Sequence, residues 1–368
     1  MKLYIIAGEA SGDLHGSNLI KALQAERSDI KMRCWGGDLM QKAGGELVKH
    51  YRELAFMGFI EVVMNLRTIA RNLRFCKEDI LNYKPDALVL IDYPGFNLRI
   101  AEWAKAEGIK VFYYISPQVW AWKENRVHKI KSSVDRMFVV LPFEKDFYQK
   151  HDYDVSFVGH PLLDVIADRR NNTAQFIAEN ELDQKPIIAL LPGSRKQEIS
   201  TMLPLMLSVK NDFPNHQFVV AGAPGQAAEY YSTMLPADVK IIFGKTYELL
   251  QNAEAGLVTS GTATLEAGLF KLPQVVCYKG SSISYQIARQ LVKIKFISLV
   301  NLILDREAVT ELIQQKLNTA NIKHELNALL FDHSRFQKMI SDYDELHSKL
   351  GGPGASSRVA SEMLKILN

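Results

Sequence analysis

Short apolar runs recur along the chain, and each is followed by a stretch whose apolar positions repeat at helical spacing. In the first half the strand-like runs are KLYIIA (2–7), MRCW (32–35), ALVLI (87–91), KVFYYI (110–115), MFVVL (137–141) and VSFV (155–158). In the second half they are IIALL (187–191), QFVVA (217–221), VKIIF (239–243), GLVT (256–259) and QVVCY (274–278). These runs are continuously apolar with little alternation, as in strands covered on both faces of a parallel sheet. The strand–helix rhythm in both halves predicts an α/β protein of two doubly wound, Rossmann-like domains, facing each other across a cleft. The polar stretch 167–186 ends in proline and marks the break, giving domains over 1–166 and 187–350. From about Glu307 the strand signal disappears. REAVTELIQQKL, IKHELNALLF and SRFQKMISDYDELHSKL predict a helical C-terminal tail. GGPGASS (351–357) interrupts it before a last helix within 351–368, which is expected to pack back toward the N-terminal domain.

Composition narrows the classes. A chain of 368 residues is too long for one ordinary core and suits two domains. The net charge of +3 is too small to argue for nucleic acid. Cys34, Cys76 and Cys277 are widely separated, which argues against a disulfide framework or a zinc site and for a reducing cytoplasm. The N-terminus MKLYIIAGEASGD reads as a first core strand, since a signal peptide needs a longer apolar stretch. No apolar run is long enough to span a bilayer, so any membrane contact is expected to be peripheral. The sequence DYD occurs at 152–154 and 342–344, but neither copy follows a strand. Both read as solvated surface, and no metal or cofactor is expected.

Ligands of doubly wound sheets bind at the carboxyl ends of the strands, so the loops there carry the candidate chemistry. AGEASGD (7–13) lacks the dinucleotide fingerprint and a P-loop lysine, yet Gly8 and Gly12 let backbone come close to a ligand. Ser11 and the N–H groups after it suit a phosphate, while Glu9 and Asp13 read as loop braces. In LLPGSRKQEI (190–199), Pro192 and Gly193 make a turn, Ser194 is placed to cap a helix, and Arg195 adds a forked cation beside the helix N–H groups. In VTSGTATLEAG (258–268), Ser260, Gly261 and Thr262 repeat that arrangement. Glu266, one turn on, is placed either for ribose hydroxyls or for a capping box with Thr262. Two such loops in one domain favour a nucleotide diphosphate. Asp92 in LIDYPGFN (90–97) is placed as a general base or as an Asx-turn residue before Pro94 and Gly95. Trp120 and Trp122 in SPQVWAW (116–122) suit an apolar channel or a covered core edge. His160 is given no role.

Taken in order, AGEASGDLHG, ELAFMGFIEV, SPQVWAW, LLPGSRKQEI, SGTATLEAG and SLVNLIL resemble the lipid-A-disaccharide synthase family, from residue 3 to about 305. The resemblance implies a GT-B fold and an inverting glycosyl transfer that needs no obligatory metal. UDP-2,3-diacylglucosamine is the implied donor and 2,3-diacylglucosamine 1-phosphate the acceptor, joined through the acceptor 6-hydroxyl into a β-1′,6 disaccharide. It also implies a cytoplasmic enzyme, peripheral on the inner face of the bacterial inner membrane. Asp92 falls on the family's base, and Arg195, Glu266 and Asn301 fall on residues associated with UDP binding or activity. Gly95 departs from relatives that often carry an acidic residue there, which leaves Asp92 as the better candidate. Its pKa is expected to need no upward shift. The segment AFMGFIEVVMNLRTIARNLRFCK (55–77) places Phe56, Met57, Phe59, Ile60, Val62 and Val63 together. Leu66, Ile69 and Leu73 follow on one helical face, with Arg67, Arg71 and Arg74 roughly opposite, a pattern suited to an anionic membrane surface. A UDP-sugar epimerase of the same fold and a non-catalytic sugar-nucleotide or lipid-binding protein are the alternatives. Oligomeric state stays open.

Overall fold

The computed structural model describes residues 1–54, 66–122, 124–167, 169, 171–281 and 295–368. The chain divides into two units, one of Met1–Asp164 with Leu350–Asn368 and one of Val165–Lys349.

The first unit is built on seven parallel strands: β1 (Lys2–Ala7), β2 (Lys31–Gly36), β3 (Glu46–His50), β4 (Ala87–Ile91), β5 (Lys110–Tyr114), β6 (Arg136–Val139) and β7 (Ser156–Phe157). They lie in the order β3-β2-β1-β4-β5-β6-β7. The central strands β1 and β4 are buried along their apolar runs, which explains the missing alternation. Each fully buried Leu, Ile or Val side chain contributes about 1.5–3 kcal/mol, so the two centre strands are the firmest part of the sheet. Strand β3 has no continuous apolar run, because an edge strand needs to cover only part of its surface. The terminal helix Ala355–Leu367 packs against the helix Ala10–Glu26. It is tied down by Asp164, whose carboxylate accepts the N–H groups of Gly354, Ala355 and Ser356 at 2.5, 3.3 and 3.2 Å.

The second unit has six parallel strands: β8 (Ile187–Leu191), β9 (Gln217–Gly222), β10 (Lys240–Phe243), β11 (Ala255–Thr259), β12 (Gln274–Tyr278) and β13 (Thr310–Ile313). Their order is β10-β9-β8-β11-β12-β13. The helix expected over REAVTELIQQKL is instead β13 followed by a 3-10 turn at Gln314–Lys316. Pairing with β12, from Val275↔Thr310 to Tyr278↔Ile313, overrides the local helical periodicity. The polar stretch expected to be the break belongs partly to this unit's core. Thr173–Glu179 is a helix, and Phe176 and Leu182 are buried in the cluster around β8 and β11. The second DYD is not all solvated surface either. Asp342 is buried and paired with Arg306 at 2.7 Å and Lys338 at 2.9 Å.

The helix Leu66–Tyr83 turns Asn72, Cys76 and Ile80 inward, with Leu73 and Ile69 half-buried beside them. Arg67, Arg71 and Arg74 are exposed. Phe56, Met57, Phe59, Ile60, Val62 and Val63, expected at a membrane surface, lie outside the described residues. No helix among the described residues is long and apolar enough to cross a membrane.

Candidate active site

Both sheets reverse their strand order once. In the first unit the reversal lies between β1 and β4, and in the second between β8 and β11. A doubly wound sheet opens a crevice at the carboxyl ends of its strands at such a point. Gly8, Ser11 and Gly12 follow β1 and Asp92 follows β4. Gly193, Ser194 and Arg195 follow β8, and Ser260, Gly261 and Thr262 follow β11. Each pair of loops named from the sequence therefore stands at the switch point of its own sheet.

In the first unit, the register Ala7↔Ile91 sets Gly8 beside Asp92. The Tyr93 ring lies where a Gly8 side chain would be, since a Cβ on Gly8 would come within 2.3 Å of the ring. Asp92 and Tyr93 both take left-handed backbone, with φ of +44° and +49°. Non-glycine residues reach that region at a cost of about 1–3 kcal/mol, held by their surroundings. Here the holders are plain. The Asp92 carbonyl accepts the Tyr113 hydroxyl at 2.5 Å and Asn97 Nδ2 at 2.8 Å, and its N–H donates to the Tyr114 carbonyl at 3.0 Å. Asn97 and Tyr113 are buried. Pro94 then opens the helix Pro94–Ala106 at a position where its missing N–H is no loss. This is a rigid mount for one carboxylate.

Burial pushes the Asp92 carboxyl up to about 6, and the negative charge of Glu9 adds to the rise. The structure thus supplies a rise that the expected mechanism does not need. Glu9, expected as a loop brace, also stands near enough to Asp92 for its charge to act on that carboxyl. Asp13 braces the loop: it is buried and accepts the N–H groups of Gly37, Leu39 and Met40 at 2.8, 3.1 and 3.0 Å. Gly95 is exposed, and a side chain there would meet nothing within 4 Å. An acidic residue at that position would fit without strain. Trp120 packs edge-on to Phe143, with ring centroids 4.9 Å apart, and Trp122 ends the helical turn Val119–Trp122.

In the second unit, Ser194 does not cap the helix Lys196–Leu207. The cap comes from Glu198, whose Oε2 accepts the N–H groups of Ser194 at 3.1 Å and Arg195 at 3.2 Å. Its other oxygen lies 3.4 Å from the Arg195 guanidinium. The donors expected to point freely at a phosphate are thus already met by a carboxylate. This is a capping box, and a diphosphate would have to displace Glu198 from those N–H groups. Gly193 has φ of +103°, and a Cβ there would come within 2.6 Å of Glu198 Oε2. Glycine is needed at 193 for both reasons. Arg195 itself is exposed.

No capping box joins Thr262 to Glu266. Glu266 Oε1 accepts the Tyr247 hydroxyl at 3.0 Å, and burial raises the Glu266 carboxyl above the usual range. The Arg169 guanidinium lies 4.6 Å from the centroid of the Tyr247 ring. Thr262 is exposed, and Ser260 donates to the Ile297 carbonyl at 2.9 Å. Asn301 is not brought to an open surface. It is fully buried, and its amide is engaged by the chain itself. Among the described residues no group of three or more His, Cys, Asp or Glu is arranged to hold a metal ion.

Comparison with known proteins adds to this geometry. The family model described as Lipid-A-disaccharide synthetase matches residues 3–366. Lipid-A-disaccharide synthase of Syntrophus aciditrophicus is 40% identical, over 99% of this chain and 97% of the relative. The protein of that name from Geobacter metallireducens is 37% identical, over 100% and 97%. The one from Coxiella burnetii is 37% identical, over 97% and 96%. Among solved structures, UDP-GlcNAc 2-epimerase of Neisseria meningitidis superposes with a TM-score of 0.69 at 13% identity, covering 99% of this chain and 100% of its own. The glycotransferase of kitacinnamycin gives 0.66 at 15% identity, covering 100% and 99%. At such identities these two structures speak for the fold alone. The chain belongs to the lipid-A-disaccharide synthetase family and is a glycosyltransferase of the GT-B fold.

Proposed function

We propose that the protein transfers 2,3-diacylglucosamine from its UDP donor to the 6-hydroxyl of 2,3-diacylglucosamine 1-phosphate. The products are the β-1′,6 disaccharide 1-phosphate and UDP. The observation that carries the residue assignment is the position of both loop pairs at the switch points of their sheets, in a chain matched to the family from residue 3 to 366.

Asp92 takes the proton of the acceptor hydroxyl as that oxygen attacks the anomeric carbon from the face opposite UDP. A carboxyl raised to about 6 is a stronger base than an ordinary aspartate, yet still mostly ionised at neutral pH. Arg195 and the N–H groups after Gly261 stabilise the charge that develops on UDP as it leaves, joined by those after Gly193 once Glu198 has swung away from them. Glu266 accepts from the ribose hydroxyls through the oxygen that Tyr247 does not hold. Ser11 and the N–H groups beginning the helix Ala10–Glu26 suit the acceptor phosphate.

The substrates' acyl chains bring the protein to an anionic membrane surface. Exposed Arg67, Arg71 and Arg74, with Phe75 on the same helix 43% exposed, support a peripheral contact there. The apolar residues Phe56 to Val63 precede them in the chain.

The test is mass spectrometry of the product from purified protein with both substrates. A tetraacyl disaccharide 1-phosphate is expected, with UDP released only when acceptor is present. UDP release that ignores the acceptor, or a change of the donor sugar alone, would sink the assignment.

A further inference from the structure

The resemblance implies a part for Asn301 in UDP binding or activity, yet its amide has little to offer a nucleotide. Its Oδ1 accepts the N–H groups of Ala308 at 2.8 Å and Val309 at 2.9 Å. Its Nδ2 donates to the Val309 carbonyl at 2.8 Å and to Glu311 Oε1 at 3.0 Å. Two acceptor sites and two donors use up what an amide carries. Any influence of Asn301 on the nucleotide must pass through its partners.

One partner is a carboxylate on the edge strand that the sequence had hidden. Glu311 sits in the middle of β13, in register with Val276. Its carboxylate accepts the Ile297 N–H at 3.1 and 3.0 Å, the Ser298 N–H at 2.9 Å and Asn301 Nδ2. Ser298 in turn caps the helix Leu299–Leu304 by accepting the Asn301 N–H. The carbonyl of Ile297 receives the Ser260 hydroxyl at 2.9 Å, and the Ser260 N–H goes to the Cys277 carbonyl at 3.0 Å. A continuous line of hydrogen bonds therefore runs from Asn301 through Glu311 and Ile297 to Ser260. It ends in the loop between β11 and the helix Thr262–Leu269.

We propose that Glu311 is a positioning residue for the donor nucleotide, holding residues 297–301 and, through the Ile297 carbonyl, the Ser260–Thr262 loop. This rests on the assignment of that loop to UDP. Three donors converge on the Glu311 carboxylate, and a group that only accepts is what they require. Glutamine would turn an NH2 toward one of them, setting donor against donor. The preorganisation of the loop, with its N–H groups aimed before UDP arrives, is then lost.

The experiment is calorimetric titration of UDP into the wild type, Glu311→Gln, Ser260→Ala and the double variant, with donor and acceptor KM and kcat measured on each. Loss of a hydrogen bond, to the charged carboxylate in Glu311→Gln and to the neutral Ile297 carbonyl in Ser260→Ala, is expected to weaken UDP about tenfold in each single variant. The double variant should be hardly weaker than either single one, because both cut the same line. Donor KM should rise while acceptor KM stays, a split that mere loss of folded protein does not give. Wild-type UDP affinity in Glu311→Gln overturns the proposal, as does a double variant whose losses multiply. If Glu311→Gln does not fold, amide exchange in the wild type decides. The Ile297 and Ser298 N–H groups should be strongly protected without UDP, and exchange at the rate of an open loop overturns the proposal. A wild type that binds no UDP would instead overturn the donor-site assignment itself.

Discussion

Replacing Asp92 by asparagine should separate what this residue does for the reaction from what it costs the fold. Its carboxyl rises from an ordinary 3.8 to about 6 in the folded protein. At about 1.4 kcal/mol per pKa unit, holding the ionised form costs about 3 kcal/mol at most. A carboxyl raised in this way gives its full stability only while protonated, below about 3.8, and loses it as pH rises through about 6. Asparagine cannot ionise and tolerates left-handed backbone, so it keeps the mount and removes the penalty. Thermal unfolding of the two proteins should nearly coincide at pH 4. The gap should open between pH 4 and 6 and stay level above, with the first unit of the variant melting roughly 5–10 °C higher at pH 7.5. In the same preparation transfer should fall about 10²–10⁴-fold, the usual contribution of a general base, while UDP binding by calorimetry is unchanged. A stability gap that does not vary with pH would refute the raised, ionised carboxylate. Near-native turnover would refute the base.

The remaining expectations are narrower. Glu9→Gln removes the charge that adds to the rise of Asp92, so the acidic limb of kcat/KM should move to lower pH. A limb that stays in place would mean that Glu9 does not tune the base. Arg195→Ala should weaken UDP and slow transfer together, and lysine should rescue only part, because it cannot offer two parallel donors. Unchanged UDP affinity in the alanine variant removes Arg195 from the donor site. Replacing Ile60, Val62 and Val63 together by serine should cut binding to anionic liposomes while UDP affinity survives. A variant that unfolds, with its remaining folded fraction still binding liposomes normally, would mark the segment as core.

The sequence alone determined the two-domain α/β fold, because strands buried on both faces must be written in continuous apolar residues, and β1, β4, β8 and β11 are. It also picked out the strand-end loops, since glycine, serine and arginine at the start of a helix are local signals that need no neighbours to be seen. Two of the four edge strands, β3 and β13, were beyond it, while β7 and β10 lie within runs that the sequence marks. Glu46–His50 and Thr310–Ile313 are held by pairing with β2 and β12, and neither is apolar enough to announce itself. The Glu198 carboxylate on the Ser194 and Arg195 N–H groups was within reach, because a glutamate at the third helical position is a known capping signal. What joins Glu9 to Asp92, Tyr113 and Asn97 to the Asp92 carbonyl, and Glu311 to Ile297 and Asn301 was decided by the tertiary structure. Most of these partners lie far apart along the chain or on different elements. Parallel strand order and register bring them within hydrogen-bond or Coulomb reach, and no local periodicity carries that information.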